Sequence, residues 1–257
     1  MGALSHKLTV EDLSKSYGSK TVLDHISFEV QDGEFLSILG PSGCGKTTIL
    51  RLLIGLLTPD SGRIFKDGAD ITALPPARRG MGIVFQNYAL FENMTVRQNV
   101  EYALRFHREL KASRGEIAED LLHRVGLWDQ RDKRPGKLSG GQQQRVAIAR
   151  TLALSPDVIL FDEPMSALDV DTRLILRKEI KDIQKAFGTT MIYITHDQEE
   201  AFAMSDRIMV METGRIHPVD TPEGLVPRPA DDYVRRFVLE NLQTKADSLS
   251  RFIQVKP

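Results

Sequence analysis

Leu36-Ser37-Ile38-Leu39-Gly40-Pro41-Ser42-Gly43-Cys44-Gly45-Lys46-Thr47-Thr48 decides the fold. An apolar run leads into G-x-x-x-x-G-K-T, and a helical stretch, Thr48 to Leu53, follows. Strand, glycine-rich loop and helix in this order form a phosphate loop. Gly43 and Gly45 let the backbone wrap so that successive N–H groups point at anionic oxygens, and the following helix adds its positive end. Lys46 is expected to bridge β- and γ-phosphates and the Thr47 hydroxyl to ligate Mg²⁺. Cys44 reads as a small tolerated side chain. The sharper alternative is a thiol activated by the helix terminus and Lys46.

A phosphate loop needs a metal-holding aspartate at the end of a neighbouring strand. Val158-Ile159-Leu160-Phe161-Asp162-Glu163 supplies one. Four apolar residues bury the strand, and Asp162 emerges at its C-terminal end, where ligands sit in open α/β sheets. Glu163 follows directly and is placed to polarise an attacking water. The long chain between Lys46 and Asp162, and the lack of an N-K-x-D stretch, argue against a guanine-nucleotide switch.

Before the loop, and for a while after it, short β runs alternate with turns: Lys7 to Asp12, Ser27 to Val30, Phe35 to Leu39, Gly62 to Lys66 and Gly82 to Phe85. Asp32-Gly33 and Asp67-Gly68 read as tight turns. From Thr95, a candidate N-cap, to Gly126, a candidate C-cap, the pattern is helical, with Val96, Val100, Ala103 and Leu104, then Ile117, Leu121, Leu122 and Val125. Beyond Pro135-Gly136 helix and strand alternate: Ser139 to Leu154, Val158 to Phe161, Val170 to Phe187, Thr190 to Thr195, Gln198 to Met204 and Arg207 to Met211. Such alternation implies a parallel sheet flanked by helices. Asp231 to Glu240 reads as a surface helix in a proline-punctuated tail.

The chain has 257 residues, enough for one large domain. With 34 basic against 35 acidic residues it carries no global basic footprint, and no nucleic-acid partner is expected. One cysteine excludes an internal disulfide framework. The longest apolar stretch, Ile49 to Leu57, is interrupted by Arg51 and Gly55 and falls short of the roughly 20 residues of a membrane span. The N-terminus has no apolar signal segment, so the expectation is a soluble cytoplasmic protein.

Leu138-Ser139-Gly140-Gly141-Gln142 narrows the class. Ser139 is a good N-cap, so this helix start is a second anion site, and one nucleotide does not need two. The sequence resembles the ATP-binding cassette (ABC) ATPases, whose signature these five residues match. The resemblance runs from about Leu8 to Phe237, with the other motifs in order. Tyr17 matches the aromatic that stacks on adenine, Gln86 the Q-loop glutamine, Ser166-Ala167-Leu168-Asp169 the D-loop, and His196 the switch histidine.

The resemblance implies an α/β fold: a P-loop NTPase core with a parallel sheet, an antiparallel β subdomain on the N-terminal side and an inserted helical subdomain. The ATPase domain would span 1–226 with the insert at about 87–138, leaving a short helical tail over 227–257. Implied cofactors are ATP and Mg²⁺, the metal held by Thr47, Gln86 and Asp162. Nucleotide binding would involve Tyr17, Gly40, Pro41, Ser42, Gly43, Cys44, Gly45, Lys46, Thr47, Thr48, Ser139, Gly140, Gly141 and Gln142. Glu163, His196 and Gln86 would be catalytic. Two cassettes would pair head-to-tail around ATP, the signature of one covering the γ-phosphate of the other.

The resemblance further implies a membrane permease docking near Tyr88-Ala89-Leu90-Phe91, with a solute-binding protein reached through it. The location would be the cytoplasmic face of the inner or plasma membrane. The stretches Phe85 to Phe91 and Leu138 to Arg145 look like those of bacterial importer cassettes for polyamines, ferric iron, phosphonates, osmoprotectants, sulfonates and sugars. Only a short tail follows Val219, so the C-terminal barrel of the sugar and polyamine members is not expected. Exporter cassettes and the non-transport ABC ATPases of DNA repair or translation are the alternatives.

Overall fold

The structure, a computed structural model, describes residues 6–166, 168–227 and 229–250. Ala167 of the expected D-loop, and Arg228 and residues 251–257 of the expected tail, lie outside the described residues.

The chain opens with a long hairpin of β1 (His6–Tyr17) and β2 (Lys20–Gln31). It continues through β3 (Phe35–Leu39), α1 (Lys46–Ile54), β4 (Ser61–Lys66), β5 (Ala69–Asp70) and β6 (Met81–Val84). The hairpin pairs with β4 and β5 in an antiparallel sheet of order β2-β1-β4-β5. Both hairpin strands are far longer than the sequence pattern suggests. The β1–β2 register shifts between Val10 and Leu13, and again between Leu13 and Ser16. Asp12 and His25 adopt positive φ, 53° and 50°. Bulges of this kind break the period-two alternation by which a strand is recognised.

The middle holds α2 (Val96–Glu101), α3 (Arg114–Arg124) and α4 (Gly140–Leu152). Thr95 caps α2 reciprocally with Gln98, as a capping box should. The expected continuous helical stretch from Thr95 to Gly126 is instead two helices, with a 3₁₀ turn, Ala103–Phe106, after the first. Between Leu104 and Ile117 no apolar stripe recurs at helical spacing, so nothing holds a helix there against a core.

Then come β7 (Val158–Asp162), α5 (Val170–Phe187), β8 (Thr190–Thr195), α6 (Gln198–Met204), β9 (Arg207–Glu212) and β10 (Arg215–Ile216). The second sheet has the order β10-β9-β3-β8-β7-β6, parallel throughout except for β10. Every residue of β3 and β8 is buried, as befits strands covered on both faces. Phe35, Phe161 and Tyr193 face a core shared with α2 to α5. Leu36, Ile38, Leu160 and Ile192 face one shared with α1 and the antiparallel sheet. The expected α/β architecture with an antiparallel unit and a helical insert is therefore present.

The tail departs from a simple surface helix. One turn, Asp232–Val234, runs into a widened π-type turn, Arg235–Glu240, and then into a helix, Asn241–Ser250. Val234 and Val238 are fully buried against Leu39, Ala201, Ile208, Val210 and Leu225, so the tail is part of a third core.

Arg79 ties α1 to the antiparallel unit. Its buried guanidinium donates to the carbonyls of Leu52 and Leu53 at the end of α1, and to those of Thr72 and Leu74. Leu52 O also accepts the Gly55 N–H at 3.2 Å, and a planar fork with five donors can serve all four carbonyls together.

Candidate functional site

Parallel strands β3, β7 and β8 end at one edge, and each delivers polar residues there. After β3 the chain turns through Gly40–Gly45 into α1. Gly45 occupies the N-cap position with φ 115°, without side-chain capping, and no acidic residue stands in the first turn. A Cβ at Gly45 would lie 2.7 Å from Met211 Cε and 2.9 Å from Leu23 Cδ2, so a side chain is excluded by both conformation and space. An uncapped helix start with no acidic residue in its own first turn leaves its N–H groups for an anion.

Lys46 is buried and donates to the carbonyl oxygens of Gly40 at 2.7 Å and Pro41 at 2.8 Å, while Glu163 Oε1 lies 3.6 Å away. Thr47 Oγ1 donates to Asp162 Oδ1 at 3.0 Å. Burial pushes the Asp162 carboxyl above its ordinary range, the Thr47 bond opposes this, and Glu163 adds to the rise. A crowded carboxylate of this kind beside a hydroxyl suits a divalent cation, which would relieve the charge.

Glu163 follows with φ 46°, a left-handed conformation costly for a side chain with a Cβ. Its N–H donates to Ile194 O at 3.2 Å, which fastens the turn to β8. Glu163 Oε2 lies 2.9 Å from His196 Nδ1. Gln86 Nε2 donates to Ser166 Oγ at 2.9 Å, and Ser166 Oγ donates in turn to Glu163 O at 3.0 Å. Residues from the ends of four strands, β3, β6, β7 and β8, thus form one connected set. Val22, Ser42, Gly43, Gly45, Lys46, Thr47, Thr48, Gln86, Asp162 and Glu163 line a cleft of about 390 Å³.

Several sequence-predicted residues lie outside that lining. Gly40 and Pro41 act through their carbonyls on Lys46. Cys44 is buried, and burial pushes its thiol up although Lys46 pulls it down, which fits the small tolerated side chain and not an activated nucleophile. Tyr17 ends β1 and is 47% exposed. Ser139, Gly140, Gly141 and Gln142 do not line the cleft of their own chain. Ser139 Oγ accepts from Gln142 N at 3.3 Å, and Gln142 Oε1 accepts from Ser139 N at 3.0 Å. Because the hydroxyl accepts there, its own proton stays free to donate outward. A Cβ on Gly140 would meet Leu168 Cδ2 at 2.6 Å, so the glycine permits close packing on the segment before α5.

The Tyr88–Phe91 run is only partly the exposed patch expected. Tyr88 is buried, while Ala89 is exposed and Leu90 and Phe91 are half-buried. Tyr88 and Ala89 both take positive φ, and Arg150 holds their carbonyls at 2.9 and 2.6 Å. Phe85, Ala89, Phe91, Tyr102 and Leu154 instead line a mainly apolar groove of about 370 Å³ beside the run. Sequence reasoning missed Arg79, Arg150 and Glu200. The two arginines serve backbone carbonyls and have no sequence signal. Asp197-x-x-Glu200 looks like a capping box, yet Glu200 turns inward to Tyr193 and Thr195.

A family profile described as ABC transporter matches residues 23–166. The sulfate/thiosulfate import ATP-binding protein CysA 2 of Chromobacterium violaceum is 49% identical over 238 residues, covering 93% of this chain and 65% of that protein. The spermidine/putrescine import ATP-binding protein PotA of Lawsonia intracellularis is 48% identical over 233 residues, 91% of this chain and 63% of that one. PotA of Bacillus cereus is 45% identical over 234 residues, 91% and 72% respectively. The chain therefore spans a little under two thirds of the first two relatives. Among solved structures, cbiO1 from Clostridium perfringens, part of the ABC transporter complex cbiONQ, aligns with TM-score 0.80 and 28% identity over 98% of this chain and 100% of that one. Phosphate loop, strand-end carboxylates and capped signature helix, together with these matches, mean that the chain belongs to the ABC transporter family, as an ATP-binding domain.

Proposed function

We propose that this chain is the ATP-hydrolysing subunit of an ABC importer. The observation that carries the reading is the convergence of Lys46, Thr47, Asp162 and Glu163 on one strand-end cleft at an uncapped helix start, with His196 reaching Glu163 from outside the cleft lining. The import ATP-binding relatives support the direction of transport.

Lys46 and the first N–H groups of α1 bind and orient the phosphates. Thr47 and Asp162 would hold Mg²⁺, with Gln86 at the same cleft. When bound, the cation supplies charge neutralisation on the β- and γ-phosphoryl oxygens. Glu163 takes the proton of the attacking water. His196, hydrogen-bonded to Glu163, fixes the direction of that carboxylate and stabilises the charge that develops. Tyr17 offers its exposed face to the base.

Ser139, Gly140, Gly141 and Gln142 serve a second copy's nucleotide in a head-to-tail pair. Their separation from the cleft of their own chain supports this. The groove of Phe85, Ala89, Phe91, Tyr102 and Leu154 receives an apolar segment of a membrane permease, and a solute-binding protein acts through that permease. Among the described residues no helix is long and apolar enough to cross a membrane. The chain is then a peripheral subunit on the cytoplasmic face. We take 1–226 as the ATPase unit, with the helical insert at about 87–138 and the remainder as tail.

The Glu163→Gln variant tests this. It should bind ATP, lose about 10²–10⁴-fold in hydrolysis and accumulate as an ATP-stapled dimer. Phosphate release and gel filtration read both properties. A variant that stayed monomeric with ATP and hydrolysed at the parental rate would overturn the assignment.

A further inference from the structure

We infer that Glu200 is a positioning residue for His196, acting through Thr195 and Asp197 without touching the nucleotide cleft. The inference rests on the hydrolytic reading proposed above.

Glu200 lies in α6 and is only 4% exposed. One of its oxygens, Oε2, accepts from Tyr193 Oη at 2.9 Å and from Thr195 Oγ1 at 2.8 Å. Tyr193 and Thr195 stand two residues apart on β8, on the same face of the strand, and both are buried. Because the Thr195 hydroxyl donates to Glu200, its lone pairs are free, and one accepts the N–H of Asp197 at 2.9 Å. Asp197 is held from its other side. Its Oδ1 accepts from the N–H groups of Glu199 at 2.8 Å and Glu200 at 3.3 Å, and its Oδ2 faces Arg173 at 3.4 Å and Arg177 at 3.9 Å.

His196 therefore sits between two pinned residues. Its ring projects from this backbone and reaches Glu163 at 2.9 Å. A buried carboxyl is an expensive way to fill a core. Burial pushes Glu200 up, and the bonds from Thr195 and Tyr193 hold it against that push. A leucine would fill the space without needing partners. What a leucine lacks is the acceptor that directs two hydroxyls and closes the turn at residues 195–197. Without that acceptor the Thr195 hydroxyl is free to rotate, the Asp197 N–H loses its fixed partner, and the imidazole direction relaxes. Misplacement of a catalytic group by about 1 Å costs on the order of 10²-fold in rate.

The test compares ATP turnover, nucleotide affinity and thermal melting of the full chain as wild type, Glu200→Ala, Glu200→Gln, Thr195→Val, Thr195→Ser, His196→Ala and the double variant His196→Ala/Glu200→Ala. Glu200→Ala should lower kcat about 10–100-fold while ATP affinity stays near the parental value. Glu200→Gln, whose carbonyl can accept both hydroxyls, should retain most of the activity. Thr195→Val should fall with Glu200→Ala, and Thr195→Ser should not. The double variant should turn over no more slowly than His196→Ala alone, since both lesions remove one function.

Parental kcat in Glu200→Ala, or losses that multiply in the double variant, would overturn the inference. Should Glu200→Ala fail to melt as a folded protein, the nearly isosteric Thr195→Val takes its place in the same cycle with His196→Ala. A wild-type chain that binds but never hydrolyses ATP would instead overturn the hydrolytic reading. That outcome is distinct from an active wild type with indifferent Glu200.

Discussion

Cys44 shows how burial and electrostatics compete at a single atom. It stands in the phosphate loop two residues before Lys46, an address that suggests an activated thiolate. Desolvation outweighs the lysine and pushes the thiol up. Maleimide labelling of the folded chain at neutral pH should therefore be far slower than that of the denatured chain. The folded rate should begin to climb only as pH passes above the ordinary thiol range of about 8.5. Equal rates in the two states at neutral pH would contradict the packing described. At this scale the sequence was legible where chemistry follows covalent spacing. Gly40 to Thr47 is one contiguous loop, and Asp162-Glu163 closes one strand. It was silent on Glu200, whose meaning depends on which way its side chain turns at the start of α6. A capping box and an inward bond use the same letters.

At the scale of elements, α1 and Arg79 depend on each other. The carbonyls of Leu52 and Leu53 end the helix, Gly55 follows with φ 85°, and Arg79 fills the space beside it, so that a Cβ on Gly55 would meet Arg79 Nε at 2.6 Å. Arg79→Leu retains much of the bulk and removes the donors to the Leu53, Thr72 and Leu74 carbonyls, while Leu52 O keeps the Gly55 N–H. It should cost about 3–5 kcal/mol, or about 10 °C in melting temperature, with Arg79→Lys intermediate because an ammonium cannot span the same set. Chemical denaturation of the three proteins ranks them, and a leucine variant as stable as the parent would refute the clamp. Element type was readable wherever a continuous apolar run or helical period marked it, as in β3, β7, β8 and α5. It was not readable in β1 and β2, where bulges disturb alternation, nor between Leu104 and Ile117, where the chain makes turns without a buried stripe. Asp231 to Glu240 reads as a surface helix from its sequence, which leaves open whether the tail packs on the body; Val234 and Val238 face inward.

In the whole molecule, the two sheets and the helical insert divide one proposed chemistry between two surfaces. The cleft gathers the phosphate loop, Gln86 and the carboxylates, while Ser139 caps a helix elsewhere. The fold class was legible as a whole because alternating helix and strand permits few arrangements. The division of labour was visible only through the resemblance, since no spacing within one chain says which copy a residue serves. It bears on inheritance as much as on catalysis. In the proposed head-to-tail pair, a chain crippled at Lys46 and a chain crippled at Ser139 each spoil both sites when paired with themselves. Mixed together, they place both lesions in one site and leave the other whole. Separately purified Lys46→Ala and Ser139→Asp chains should thus be inert and should regain hydrolysis on mixing with ATP, as a phosphate-release assay would record. Persistent silence of a mixture that does form heterodimers would mean that each chain is complete in itself. Two defective alleles of such a gene would rescue one another in the same cell.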